Sequence, residues 1–316
     1  MVVDLKPFPS HMTTMDVLDA KALKIFMAVA RIGSIRGAAE HMGLAPSVVS
    51  RQIADTEREI GLALFERTAR GTVLTDAGEL VLEHGKRVLE DNGLLAEQLD
   101  QIRGVQQTRI RIRCGEGFMA DLVEHGLSSF SRAHSYVRYI VELGSTEDVV
   151  DAIANSDADI GIAYTPLTDP RIRALAIARQ PLCVIAPIGH ALASRTGLKL
   201  ADCLTSPCAM LGKGNGVTQI VARVAADAGM ALAPLLETHS IEVLRRFVAS
   251  GLGVTFLPRT AVSGEIDRGV MQAVDLEDPL LREASAHLMV RAHRRLPLSV
   301  EKLGQHLAQE MQSFKA

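Results

Sequence analysis

The chain has 316 residues, 47% of them hydrophobic and 22% charged, with a formal net charge of −3 at pH 7. That is the composition of an ordinary soluble globular protein with room for two or three domains. No apolar run approaches the ~20 residues that cross a bilayer, and a net charge this near neutral confines any nucleic-acid surface to a local patch.

Residues 1–15, with Met12 and Met15 as alternative starts, lack a basic start followed by an apolar core and read as a disordered leader rather than a secretory signal. Cys114, Cys183, Cys203 and Cys208 form no CxxC pair and have no histidines at metal spacing. The expectation is reduced, buried thiols in a cytoplasmic protein without metal or cofactor.

From Asp19 to about Arg31, "DAKALKIFMAVAR" places Leu23, Phe26, Met27 and Ala30 on one helical face, with Asp19 as N-cap. Ser34 opens a second helix, "GSIRGAAEHMG", in which Ala38 and Ala39 permit close packing and Gly43 marks the stop. A third, "APSVVSRQIADTEREIG", carries Val49, Ile53, Thr56 and Ile60 as a buried stripe and Ser47, Ser50, Arg51 and Ala54 on the opposite side. Two short helices joined by a glycine-containing turn form a helix-turn-helix, whose second helix enters the DNA major groove. The alternative is a plain three-helix bundle with solvated serines. "LALFERTARGTVLTDAG" then supplies core-like Leu62, Leu64 and Phe65, a basic tip at Arg67, Arg70 and Gly71, and a strand at Thr72–Leu74, which is a wing.

With its GS...AAE, S.QI...E.E.G..LFER and LT.AG elements in that order, the segment resembles the LysR-type transcriptional regulators of bacteria. Here Pro46-Ser47 stands where many members carry Gln-Pro. The resemblance implies DNA contacts from Ser34, Arg36, Pro46, Ser47, Ser50 and Arg51, with Arg67 and Arg70 of the wing reaching the backbone or minor groove. Arginine can fork onto guanine or phosphate, and short serines permit close docking.

From Asp76 to about Arg103 there is no proline, and Val81, Gly85, Val88, Asn92, Leu95, Leu99 and Ile102 step by alternating four and three. This predicts a heptad seam interrupted by Gly85 and Asn92, with a core helix of the following domain as the alternative. By the resemblance the helix dimerises, through Val81, Val88, Asn92, Leu95, Leu99 and Ile102.

Beyond "GVQQ" strands alternate with helices. "TRIRIRC", "YVRYIVEL" and "ADIGIAY" read as strands around helices at about Phe118–Ala133 and "STEDVVDAIANS". A second series runs through "PLCVIAP", "PCAML", "GVTQIVARVAADAG", "LLETHS", "IEVLRRFVASG" and "LGVTFLP", and a last strand and helix return to the first lobe. The pattern predicts parallel sheets in two α/β lobes with a ligand crevice beyond the strand carboxyl ends. By the resemblance this is an effector-sensing domain built like periplasmic solute-binding proteins. Candidate effector residues are Glu116, Gly117, Phe118, Ser145, Thr146, Tyr164 and Thr218, with Gly115, Gly216 and Val217 beside them. Hydroxyls at helix N-termini favour a small organic acid; Glu116 argues instead for an amine, and Ser145 and Thr146 serve equally as plain helix caps.

The expected fold is therefore multidomain α+β: leader 1–15, winged helix-turn-helix 16–75, linker helix 76–106 and effector domain 107–316. Lobe I takes about 107–178 and 280–316, lobe II about 179–279. The expected function is an effector-modulated transcriptional regulator. Its partners would be double-stranded DNA with interrupted dyad symmetry, a small-molecule effector, a second copy or a tetramer, and RNA polymerase, with no membrane. A free-standing small-molecule-binding protein leaves the helix-turn-helix unexplained. An enzyme on the same scaffold finds no GxSxG, HExxH, P-loop or GxGxxG with an acidic partner. A redox sensor using Cys203 and Cys208, as in one branch of the family, does not fit that branch's cysteine spacing.

Overall fold

The structure, a computed structural model, describes residues 18–68, 71–102, 108–292 and 295–315. The leader 1–15, Arg70 and the side chains of Arg67 and Ile102 lie outside the described residues. The chain forms two compact units, Met1–Leu95 and Ala96–Ala316.

The first unit packs α1 (Ala20–Ile32), α2 (Ile35–Met42) and α3 (Pro46–Ile60) under a hairpin of β1 (Phe65–Thr68) and β2 (Gly71–Leu74). Asp19 caps α1, its carboxylate accepting from the Lys21 and Ala22 amides at 2.9 and 2.6 Å. Gly43, left-handed at φ 65°, stops α2 and turns the chain into α3. Ile25, Phe26, Val29, Ala38, Ala39, Val49, Ile53 and Leu64 meet in one core. Each fully buried large aliphatic side chain contributes roughly 1.5–3 kcal/mol.

The helix α4 (Asp76–Ile102) follows the hairpin, and its first turns correct the expected seam. Val81 and Leu82 pack against the core of their own unit. A Cβ at Gly85 would meet Leu23 Cδ1 at 2.9 Å and Met27 Sδ at 3.0 Å. The small residue that breaks the heptad is there to admit α1, so Val81 belongs to the intramolecular core. Farther along, Leu95 and Leu99 are 53% and 42% exposed.

The second unit holds two five-stranded sheets, β4-β3-β5-β12-β6 and β11-β7-β10-β8-β9. Lobe I contains β3 (Thr108–Cys114), β4 (Val137–Leu143), β5 (Ile160–Tyr164), β6 (Ile172–Arg179) and β12 (Ser285–Arg291). Between its first strands, a 3-10 turn (Glu116–Phe118), α5 (Met119–Asp121), a π-helical stretch (Leu122–Leu127) and α6 (Ser128–Ala133) run on without a break. α7 (Thr146–Ala154) and α13 (Leu298–Glu310) complete the lobe. Lobe II contains β7 (Leu182–Pro187), β8 (Cys208–Leu211), β9 (Leu236–Thr238), β10 (Val254–Pro258) and β11 (Met271–Asp275). Its helices are α8 (Leu200–Cys203), α9 (Gly216–Asp227), α10 (Ile241–Ala249), α11 (Ser263–Asp267) and α12 (Pro279–Arg282).

The sheets are mixed, which corrects the expectation of parallel ones. β3 runs parallel to β4 and β5, and β8 parallel to β9 and β10. β12 is antiparallel to β5 and β6, and β7 antiparallel to β10 and β11. Hydrophobic alternation reports which face a residue occupies and not the direction of its neighbour. In β7, Leu182, Val184 and Ala186 join one buried cluster while Cys183 and Ile185 join another. That two-sided burial is why "PLCVIAP" is continuously apolar.

Candidate functional site

Two surfaces stand out. In the first unit α3 starts with Pro46 at its first position, and Ala45 before it makes no side-chain cap, leaving the first-turn amides without a side-chain acceptor. Pro46, Ser47, Val48 and Arg51 are exposed around that end, and Ser50 is half-buried. Val48, exposed beside Ser47 and Arg51, escaped the sequence reading. Arg36 is exposed and forms a 3.5 Å ion pair with Glu40, while the Ser34 hydroxyl caps α2 by accepting from the Gly37 amide at 3.3 Å.

The hairpin is held in place beside α3. Glu57 Oε1 accepts from the Leu64 and Phe65 amides at 2.8 and 3.1 Å, and the Thr72 amide donates to Gly33 O at 2.8 Å. The acidic residues of the E.E.G..LFER element thus include the fastening of the wing.

The second surface is a cavity of about 290 Å³ between the two lobes. Lobe I contributes Gly115–Phe118, Leu143–Thr146, Asp148 and Tyr164; lobe II contributes Leu211, Gly212, Asn215, Val217, His239, Ile241, Leu257, Pro258, Thr260 and Ala261. Six of the expected effector residues, Glu116, Gly117, Phe118, Ser145, Thr146 and Tyr164, lie on it. Thr218 does not, which corrects its assignment: it is buried and its hydroxyl donates to Leu211 O at 2.8 Å. The neighbouring Val217 faces the cavity instead. The missed lobe II positions lie at the ends of β8, β9 and β10 or just after them, where the rule of strand carboxyl ends applies as it does in lobe I.

Most polar groups around the cavity already have protein partners. Ser145 and Asp148 form a reciprocal capping box on α7, with Ser145 Oγ to Asp148 Oδ2 at 2.7 Å and the Asp148 amide to Ser145 Oγ at 3.1 Å. The Ser145 hydroxyl and amide hold the Asp148 carboxyl below its ordinary value. Thr146 Oγ1 donates to Tyr164 O at 3.3 Å and accepts from the Gly216 amide of lobe II at 2.9 Å. At Gly216 a Cβ would fall 1.9 Å from Tyr164 O, so only glycine admits this approach. Glu147 adds a bond from Gln219 Nε2 at 2.7 Å.

Glu116 reaches across to α10. Its Oε2 accepts from the Ile241 amide at 2.7 Å, and its Oε1 from Ser240 Oγ at 3.1 Å and the Glu242 amide at 3.4 Å. Tyr164 donates its hydroxyl to Gln180 O, and burial pushes its pKa up.

The cysteines are poor nucleophiles. All four are buried and reduced. Burial pushes the Cys114, Cys183 and Cys203 thiols up to about 12 and raises Cys208 as well. Among the described residues no cluster of three or more His, Cys, Asp or Glu side chains is disposed to hold a metal, and no helix is long and apolar enough to cross a membrane.

Residues 20–79 match the bacterial regulatory helix-turn-helix profile of the lysR family, and residues 103–312 the LysR substrate-binding domain. The chain is 27% identical to the RuBisCO operon transcriptional regulator of Allochromatium vinosum over 81% of its own length and 85% of that protein. It is 30% identical to the transcriptional regulator YofA of Bacillus subtilis over 79% and 85%. A full-length cysteine variant of OxyR from Pseudomonas aeruginosa shares the fold, with a TM-score of 0.68 and 20% identity over 93% of this chain and 95% of that one.

Proposed function

The chain belongs to the LysR family of DNA-binding transcriptional regulators with an effector-binding domain, and from that premise we propose that the cavity between the lobes is its effector site and that α3 with the wing reads its operator. The observation that carries the effector assignment is that the cavity gathers strand ends and helix starts from both lobes, so a ligand there touches both.

The effector is a small organic acid with an apolar body, in keeping with walls of Phe118, Leu143, Val217, Ile241, Leu257 and Ala261. Ser47, Ser50 and Arg51 face base edges, the uncapped start of α3 and the wing arginines meet phosphate, and Arg36 stands beside them. Leu95 and Leu99, exposed on α4, pair two chains into a homodimer, and effector units pair dimers into a tetramer on an operator with interrupted dyad symmetry. The protein acts in the cytoplasm and without catalysis. The engagement of the Ser145 and Thr146 hydroxyls by Asp148, Tyr164 and Gly216 supports the last point.

A thermal-shift screen of the full chain against a library of organic acids should return compounds that raise its melting temperature, because a ligand of the folded state stabilises it. Gly117→Leu fills the space toward Ile241 and Ala261, the nearest atoms to a Cβ there, and should abolish those shifts. Hits that survive Gly117→Leu in a folded variant would place the effector outside the cleft.

A further inference from the structure

We propose that Glu116 is an internal ligand of the cleft: its carboxylate occupies the place of an effector carboxylate and holds lobe I against lobe II until one displaces it. This rests on the cleft being the effector site.

Three observations converge. No lysine or arginine is among the described residues lining the cavity, so an incoming carboxylate has backbone amides and the side chains of His239, Asn215 and Thr260 to meet it. Three helices begin at the cavity, and two are capped from within their own lobe: α7 by Ser145 with Asp148, and α9 by Asn215, whose Oδ1 accepts from the Val217 amide at 3.0 Å. α10 is different. Its N-cap residue, Ser240, makes no cap of its own and donates its hydroxyl to Glu116. Glu116 also takes the Ile241 and Glu242 amides, so the whole cap comes from the opposite lobe.

The start of a nine-residue helix carries a fraction of a positive charge and open amides that suit a carboxylate. Arg245 and Arg246 of α10 pair with Glu242 and Glu265, so the positive groups on the Glu116 side of the cavity are that helix start and His239 just before it. A monocarboxylate with an apolar body offers the same two oxygens while filling the cavity that Glu116 only borders. Displaced, Glu116 swings out carrying its charge and its link between the lobes passes to the ligand, while the Thr146–Gly216 and Glu147–Gln219 bonds stay in place.

Chemical rescue tests this on the full chain. Glu116→Ala should melt below wild type in sodium chloride. Sodium acetate at matched ionic strength should then raise its midpoint by about 2–4 °C at several-fold excess over Kd, whereas wild type, with the position filled, should not respond over the same range. Should Glu116→Ala fail to fold, Glu116→Gln keeps one acceptor oxygen for the α10 amides and should show a smaller acetate response of the same sign. An acetate response in either folded variant no larger than wild type's overturns the proposal. That result leaves the effector site untouched, since the Gly117→Leu screen tests it with wild-type Glu116 in place.

Discussion

Thr146→Val removes one oxygen from the contact between the lobes and almost nothing else. The threonine is buried, its hydroxyl accepts from the Gly216 amide at 2.9 Å, and it donates to Tyr164 O at 3.3 Å. Valine keeps the branched shape but leaves the Gly216 N–H without an acceptor in a buried setting, which costs about 1–3 kcal/mol. The extra buried methyl returns about 0.8 kcal/mol. The net loss is about 1 kcal/mol, or roughly 2–4 °C of melting temperature in a domain of this size. The decisive assay is amide hydrogen exchange at Gly216, which should lose protection in Thr146→Val and keep it in Thr146→Ser. If Thr146→Val melts with wild type and Gly216 remains equally protected, the hydroxyl is not what joins the lobes.

Arg51→Ala should weaken binding to the specific operator by about 1–3 kcal/mol while leaving the effector response intact, measured by fluorescence anisotropy across a salt series; unchanged operator affinity would remove Arg51 from the reading face. Charges at the exposed Leu95 and Leu99, as Glu in both, should reduce the mass seen in analytical ultracentrifugation to that of one chain, because burying unpaired carboxylates is costly. A native mass for that double variant would locate the oligomer interface elsewhere.

The reading head was legible because its information is local. Of the stripe Val49, Ile53, Thr56 and Ile60 the first three are buried and Ile60, at the end of the helix, is half-buried, and the strand-like run after Gly71 forms the second arm of the hairpin. In the effector unit the strands whose two faces are both buried announced themselves, whereas β6 and β11 did not. β6, "IRALAIAR", is partly exposed along its length and lies at a sheet edge; β11, "MQAVD", is short and also an edge strand.

The chemistry of the cleft was legible in position and not in partnership. Glu116 read as a charge that repels an acid, yet its partner amide is 125 residues away and turns it into a cap. Thr218 and Val217 sit on the same helix start, about 100° apart around the axis, and only the packed structure shows which of them faces the cavity.

The strand order of lobe I also governs how the chain can be made. β12, the last strand among the described residues, lies between β5 and β6 and bonds to both. A growing polypeptide completes β5 and β6 and then spends roughly 100 residues on lobe II, about 5–20 s of synthesis, before the strand that joins them exists. Through that interval two open strand edges wait with unpaired amides and carbonyls, the template on which chains aggregate. Lobe II has all five of its strands by Asp275 and can finish first. The lobe that begins earlier finishes last, when its late strand pairs with β5 and brings β6, which has no other strand partner, into the sheet.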